Sequence, residues 1–460
     1  MLEKIFKLKE NNTTVRTEIL AGITTFITIS YIFVVLPGIV ATPFEGELKT
    51  QIFNSVFLAT CIVAFLSTFL MGIWAKLPFV LAPGLGLTSF FTYSVMIGMG
   101  YSFSEGLAIV FLSGMFFIFI TVIGLREKLI VAIPHNIKIA LSAGIGLFLA
   151  FVGLKNAGII VSNSATFVAL ADFSHIIQDP IGSQNLIFSL LGLFFIAALY
   201  KFNIKGYLLI SIIFTTIISI FTGEVSLNLN AFNITTYIND FTTVSLFSCF
   251  DGFKSLFSMS SIIQSVFTIF ILMISFTIVD MFDSIGVLLG TAKKAGFLDE
   301  NGNLPHMKQA LMCDAIGTTA GSMLGTPTVT TYVESTAGIS AGGRTGLTSV
   351  VTSILLLSAI ILAPFVSIIP VAATAPILIF LGSLMLNSIV ELNFEDITEI
   401  VPAFLTIILM PLTFSIANGI AFGIISYFFI KVFTGKFKEI KPITAILAII
   451  FTLRYLYIHL

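Results

Sequence analysis

Four carboxylates lie within apolar stretches of the chain, where charge is rare. Glu334 occurs in TTYVES, Asp280 and Asp283 occur in FTIVDMFDSIGVLLG, and Asp314 occurs in ALMCDAIGTTAGSMLG. Ionisable groups inside apolar spans are costly, and they commonly mark substrate or ion pathways. These acids therefore predict a binding site at membrane depth.

Glu334 is the strongest candidate for a ligand contact. It lies in the stretch 325–346, GTPTVTTYVESTAGISAGGRTG, where β-branched residues and Pro327 predict an extended segment through Thr331 and a short helix starting near Tyr332. The start of such a helix offers free N–H donors to a cavity. An ionised carboxylate has two acceptor oxygens, which suit a flat ligand with adjacent N–H donors.

The other charged residues allow two interpretations each. Asp280 and Asp283 are three residues apart on one helix face, which suits a proton carrier, but either can also belong to a buried hydrogen-bonded network. Asp314, between Cys313 and several small residues, fits helix packing as well as direct ligation. Arg344 fits an interfacial anchor or a helix cap better than a ligand contact.

Aromatic residues flank both interrupted stretches. Phe90 and Phe91 follow APGLGLTS, and Tyr332 precedes Glu334. Each ring can stack on a planar ligand or simply pack in the protein or against lipid.

Composition places the chain in a membrane. Its 460 residues are 57% hydrophobic and 10% charged, and its mean hydropathy is +1.08. Apolar runs of about 20 residues recur throughout, which predicts an all-α polytopic membrane protein. A net charge of −1 gives no support for a nucleic-acid partner. The sequence lacks HExxH and GxxxxGK[ST], so we expect no cofactor and no metal.

The apolar runs form two sets of seven spans. The first set covers 18–40, 52–73, 78–99, 105–124, 136–154, 184–200 and 206–222, and the second covers 262–290, 307–324, 326–342, 346–368, 371–388, 398–413 and 416–433. The third span of each set is interrupted by Pro and Gly. Paired interruptions of this kind are typical of inverted-repeat transporters with a site at the bilayer midplane. The tail 442–460 is apolar but short, and its relation to the membrane stays open.

Basic residues predict the orientation. When loops are assigned alternately from an inner N-terminus, eighteen Lys and Arg residues fall inside, and Lys49, Lys155 and Lys254 fall outside. The positive-inside rule therefore predicts a multi-pass protein of the cell membrane with a cytoplasmic N-terminus.

Several blocks in order resemble one family. RTEILAGITTFITISYI, APGLGLTSFF, VDMFDSIGVLLG and DAIGTTAGSMLGTPTVTTYVESTAGISAGGRTGLT are similar to motifs of the adenine/guanine/hypoxanthine permeases, the AzgA-like branch of the nucleobase cation symporters. The resemblance implies a fourteen-span inverted repeat and elevator-type import of a purine base with a proton. It implies a core domain at 1–124 and 261–368, a gate domain at 125–260 and 369–460, and often a homodimer.

The resemblance also implies roles for particular residues. Asp283 corresponds to a carboxylate that contacts substrate or couples protons, with Asp280 beside it. Glu334 corresponds to the binding carboxylate, and Asp314 corresponds to an acid that supports the site. Thr88 stands where the family pattern APGMGLNAFF has asparagine, and a hydroxyl lacks the donor–acceptor pair of an amide. This difference bears on which base is preferred.

Alternative functions follow from the same residues. The same fold can carry a pyrimidine, a xanthine or a small anion, although an anion would favour a basic residue between the half-helices. An intramembrane aspartyl protease would need two facing acids, such as Asp283 and Asp314. A channel would show no saturation and no dependence on a proton gradient.

Overall fold

The structure is a computed structural model that describes residues 2–124, 134–174, 179, 183–223, 234–256, 262–299, 304–366 and 368–457. Its helices are α1 Leu2–Phe6, α2 Val15–Ile29, α3 Ile32–Val40, α4 Gly46–Leu70, α5 Leu85–Ser89, α6 Phe103–Val122, α7 His135–Asn156, α8 Gln184–Lys201, α9 Tyr207–Phe221, α10 Ile234–Asp240, α11 Ser248–Leu256, α12 Ile262–Ala295, α13 Met307–Leu324, α14 Ser335–Ser340, α15 Gly346–Ser358, α16 Ala363–Val366, α17 Val371–Met385, α18 Ile397–Leu412, α19 Ile416–Phe433 and α20 Pro442–Tyr457. Its strands are β1 Leu81–Pro83, β2 Ile160–Asn163, β3 Phe167–Leu170 and β4 Val329–Thr331. Helices α4 and α5 continue as π-helical turns over Met71–Ala75 and Phe90–Gly98.

The helical membrane architecture is confirmed. Within the described residues, nine helical stretches are long and apolar enough to cross a membrane. The remaining predicted spans are shorter, less apolar or interrupted, so the count of fourteen stays a prediction.

The helices pack in two groups. In the first, α15 packs on α2 and α4, α13 packs on α4 and α6, and α12 packs on α6. In the second, α7 packs on α17 and α18, α8 packs on α17, and α18 packs on α19. Between the two sets of predicted spans, α10 packs on α4 and α11 packs on α6 of the first group.

Both interrupted segments contain a short strand followed by a short helix. Strands β1 and β4 pair antiparallel with Leu81 opposite Thr331 and Pro83 opposite Val329. The helix after β4 begins at Ser335, three residues later than predicted, because residues 332–334 form a turn that Glu334 ends as the N-cap. The pairing brings two stretches about 250 residues apart into one element.

Two threonines satisfy the backbone of the paired strands. The Thr68 hydroxyl on α4 bonds the Leu81 N–H at 2.9 Å and the Leu81 carbonyl at 2.8 Å. The Thr318 hydroxyl on α13 bonds the Val329 N–H at 2.9 Å and the Val329 carbonyl at 3.2 Å. Non-helical backbone survives at membrane depth only where such partners exist. Each strand thus receives the same support from the helix that precedes it.

The C-terminal helix α20 packs along α19. The Tyr455 hydroxyl donates to the Asn418 side-chain oxygen at 2.7 Å. The 16 residues of α20 are fewer than the about 20 that a perpendicular span needs.

An ionic cluster lies near the start of α20. Lys431 on α19 is fully buried, and its ammonium lies 2.9 Å from Glu399 and 2.5 Å from Glu439. Lys436 bonds Asp396 at 2.7 Å and holds the pKa of that carboxyl well below its usual range. The cluster joins α18, α19 and the segment that leads into α20.

Candidate functional site

The position of Glu334 follows from how closely α14 approaches α2. A Cβ built on Gly338 would lie 2.0 Å from the Thr25 side-chain oxygen and 2.7 Å from the Ala21 carbonyl oxygen. Only a residue without a side chain allows this approach. The short helix is thereby fixed against the first span, and its N-cap, Glu334, is fixed with it.

The Glu334 carboxylate is partly buried and hydrogen-bonded. The Tyr31 hydroxyl donates to its Oε1 at 2.7 Å. Asp283 on α12 contacts Thr330, which lies four residues before Glu334. The site therefore draws on the end of α2, on α12 and on the segment that joins β4 to α14.

The two predicted acids of α12 have different partners. Asp283 is partly buried, and its Oδ2 accepts from the Thr330 hydroxyl at 3.2 Å. Asp280 is fully buried, and its Oδ2 accepts from the Thr318 hydroxyl at 3.2 Å. Asp283 thus belongs with strand β4 and Glu334, whereas Asp280 contacts the threonine that supports the strand. Asp314 is fully buried on α13.

The predicted polar and aromatic contacts surround the paired strands. Thr88 is fully buried and donates to the Gly84 carbonyl at 2.7 Å, while Tyr332 donates to the Pro83 carbonyl at 2.5 Å. The Thr331 hydroxyl is buried and has no hydrogen-bond partner among the described residues. Of the Thr88, Tyr332 and Thr331 hydroxyls, the Thr331 hydroxyl is the one whose hydrogen is available to a ligand.

Phe90 and Phe91 are both fully buried. Phe90 packs on Phe276 of α12 with ring centroids 4.7 Å apart. Phe91 packs edge-on against Phe103 with centroids 6.1 Å apart. Both rings therefore pack against other side chains of the protein. This agrees with the interpretation of the sequence in which they are packing residues.

Arg344 acts as a cap. Its guanidinium donates to the Ile339 carbonyl at 2.7 Å and the Gly343 carbonyl at 2.8 Å, at the end of α14. The helix-cap interpretation is confirmed by these contacts.

The sequence patterns do not single out two buried polar residues, Tyr31 and Glu18. The sequence does contain one indication for Tyr31. Its hydroxyl lies inside an apolar span, and a buried hydroxyl needs a polar partner. Glu18 carried a stronger signal, a carboxylate at the start of the first span. It is fully buried and accepts from the backbone N–H groups of Arg344 at 2.9 Å and Thr348 at 3.1 Å, so it caps α15.

Across the ranges that the structure describes, no group of three or more His, Cys, Asp or Glu side chains is arranged to hold a metal ion.

Comparison with known proteins identifies the class. Residues 16–422 match the family model described as "Permease family". The chain belongs to this permease family. It is therefore a transport protein of the membrane and not an enzyme, and the protease alternative is wrong.

Curated relatives match nearly the whole chain. The adenine permease AdeP of Escherichia coli (strain K12) is 38% identical, with 100% of this chain and 96% of AdeP covered. The guanine/hypoxanthine permease PbuO of Bacillus subtilis (strain 168) is 36% identical, with 97% of this chain and 98% of PbuO covered. The putative permease MJ0326 of Methanocaldococcus jannaschii is 42% identical, with 99% of this chain and 98% of that protein covered. The resemblance to adenine and guanine/hypoxanthine permeases is confirmed.

Solved structures share the fold. The transmembrane domain of a cyanobacterial bicarbonate transporter, BicA, superposes with a TM-score of 0.59 at 14% identity, covering 89% of this chain and 97% of that domain.

Proposed function

We propose that this chain imports a purine nucleobase, hypoxanthine, guanine or adenine, together with a proton. The observation that carries the proposal is the Glu334 carboxylate, which lies at the N-cap position of a short helix beside the paired strands and accepts from the Tyr31 hydroxyl at 2.7 Å. The full-length relatives named as adenine and guanine/hypoxanthine permeases support a purine as the cargo.

Each part of the site has a task in this proposal. Glu334 accepts N–H groups of the ring, and the unpartnered Thr331 hydroxyl reaches a ring nitrogen or a carbonyl oxygen. Asp283 takes up the driving proton. Asp280 supports the site through Thr318, whose hydroxyl also bonds β4, and Asp314 is fully buried one helical turn before Thr318 on α13. Two carboxylates in one site disfavour an anionic cargo by charge repulsion, and no described contact specifically favours a pyrimidine or a xanthine.

The transport movement that we propose is an elevator. The core domain, 1–124 and 261–368, carries the site past the gate domain, 125–260 and 369–460, in a fourteen-span inverted repeat. The equivalent support of β1 by Thr68 and of β4 by Thr318 is the observation that favours the repeat. We propose a cytoplasmic N-terminus in the cell membrane, and a homodimer formed through the gate domain.

The test is uptake by proteoliposomes. Labelled hypoxanthine, adenine and guanine are offered with and without an inward proton gradient. We expect saturable uptake of at least one base that stops when the gradient is dissipated. Uptake that is unaffected by dissipating the gradient would contradict proton coupling, and no uptake of any purine would contradict the cargo.

Glu334→Gln tests the binding carboxylate in the same assay. We expect uptake to fall at least about tenfold, because hydrogen bonds to a charged group contribute about 1.5–3 kcal/mol. Glu47→Gln is the control, because Glu47 is exposed at the start of α4. Unchanged uptake by Glu334→Gln would contradict the role of Glu334.

A further inference from the structure

We infer that Tyr31 is a positioning residue for substrate binding, because it sets the orientation of the Glu334 carboxylate. This inference rests on the proposed function, in which Glu334 accepts the N–H groups of a purine. The observation that supports it is the hydrogen bond from the Tyr31 hydroxyl to Glu334 Oε1, which is 2.7 Å long.

The α-helix of the first span is interrupted where Tyr31 lies. Helix α2 ends at Ile29, α3 begins at Ile32, and Tyr31 falls between them. The hydroxyls of Thr28 and Ser30 donate back to carbonyls of the preceding turn, at 2.8 Å to Thr25 and 2.6 Å to Phe26. Such hydrogen bonds to the helix's own carbonyls compete with the regular backbone pattern. The Tyr31 side chain reaches Glu334 from this interruption.

Tyr31 is held firmly enough to orient another group. It is 1% exposed, and the structure places it in the main apolar core. A tyrosine ring has few rotatable bonds, so a packed ring presents its hydroxyl in one place at little entropic cost. A partly buried carboxylate on a short helix lacks such restraint by itself.

The bond lies inside one packed unit. Tyr31 directly follows α2, and α14 packs on α2 through the close approach of Gly338 to Thr25. The Tyr31–Glu334 bond can therefore persist when the two helix groups move relative to each other.

The bond restricts what Glu334 offers to a ligand. A carboxylate has about four lone-pair sites on two oxygens. Tyr31 uses one of them on Oε1, so the ligand N–H groups must meet the remaining sites in a fixed direction. Loss of the Tyr31 hydroxyl frees the carboxylate to rotate, which weakens binding without removing the charge.

The test compares Tyr31→Phe with wild type in the uptake assay. We expect KM for the transported base to rise about tenfold while the maximal rate changes less than about twofold, because binding and not movement depends on the bond. The control is Tyr237→Phe, which removes another buried tyrosine hydroxyl, one that donates to the Ala363 carbonyl at 2.9 Å. Tyr237→Phe should leave KM unchanged.

A panel of N-methylated purines separates positioning from a structural role. In wild type, methylation of the nitrogen whose hydrogen Glu334 accepts should weaken binding most. In Tyr31→Phe this penalty should shrink relative to the other methylated bases. A structural role would lower the amount of folded protein or the maximal rate and would leave the order and size of the penalties as they are.

The outcomes distinguish this inference from the proposed function. If wild type transports a purine and Tyr31→Phe keeps both its KM and its methylation penalties, the role of Tyr31 is wrong and the proposed function stands. If wild type transports no purine, the proposed function fails and the role of Tyr31 fails with it.

Discussion

Gly84 lies where the two interrupted segments pack tightly against each other. A Cβ built on it would lie 2.1 Å from Thr330 Cγ2, the side chain whose hydroxyl donates to Asp283. Its φ of −75° is open to any residue, so the requirement for glycine here is steric. The absence of a Cβ therefore lets Thr330, the hydrogen-bond partner of Asp283, pack directly against Gly84.

We expect Gly84→Ala to lower the thermal stability of the purified protein and to abolish most uptake. Overpacking a tight contact costs about 1–3 kcal/mol, and here it displaces a threonine of the site. The measurement is thermal unfolding in detergent together with uptake in proteoliposomes.

Gly38→Ala is the matched control for this substitution. A Cβ at Gly38 in α3 meets nothing within 4 Å, and alanine favours a helix by up to about 1 kcal/mol over glycine. Equal stability of the two variants would contradict the steric argument.

At the scale of elements, the paired strands depend on two threonines of the neighbouring helices, Thr68 on α4 and Thr318 on α13. β1 and β4 are each three residues long, too short to be stable alone. Thr68 and Thr318 each bond an N–H and a carbonyl of one strand. The supporting helices, α4 and α13, therefore determine whether the strands can exist at this depth.

We expect Thr68→Val and Thr318→Val each to destabilise the protein by about 1–3 kcal/mol, because each leaves a buried backbone N–H without its partner. Denaturant unfolding in detergent measures the change. Thr60→Val in α4 is the control, because among the described residues the Thr60 hydroxyl bonds only the Val56 carbonyl of its own helix, at 2.7 Å. Equal loss of unfolding free energy in Thr60→Val and in the Thr68→Val and Thr318→Val variants would contradict the role of the two strand-supporting threonines.

At the scale of the whole molecule, the two helix groups meet near the end of α7. Ser94, in the π-helical extension of α5, donates to the Phe414 carbonyl at 2.5 Å, between α18 and α19. Asn156 donates to the Tyr93 hydroxyl at 3.4 Å, and the Lys155 ammonium lies 5.2 Å from the centre of the Phe414 ring. If the groups move as an elevator, these contacts must break at this end of the protein.

We expect Phe414→Ala to increase access to this junction. The probe is Ser94→Cys labelled with a membrane-impermeant maleimide; Ser94 is 3% exposed, so labelling should be slow until Phe414 is truncated. The native cysteines, Cys61, Cys249 and Cys313, are all buried, which keeps the background low. We expect labelling to be several-fold faster in the double variant.

Phe433→Ala is the control for this experiment, because Phe433 lies at the far end of α19 and is 83% exposed. It should leave the labelling rate of Ser94→Cys unchanged. Equal rates in the Phe414→Ala and Phe433→Ala backgrounds would show that the ring does not close the junction.

The sequence by itself determined the features that depend on local chemistry. Apolar runs of span length predict membrane helices because their backbone bonds are internal. Pro and β-branched residues predict the breaks before α5 and α14, and charges in apolar surroundings single out Asp283 and Glu334. The permease class follows from sequence motifs that resemble those of the family and occur in order along the chain.

The tertiary structure decided which distant groups meet. Tyr31 and Glu334 are 303 positions apart, and Thr330 and Asp283 are 47 positions apart. No spacing rule encodes such contacts, because they depend on how helices cross and on where glycines let the backbones approach. For the same reason Phe90 and Phe91, equally suited by sequence to stack on a ligand, have neighbours that only the folded chain reveals.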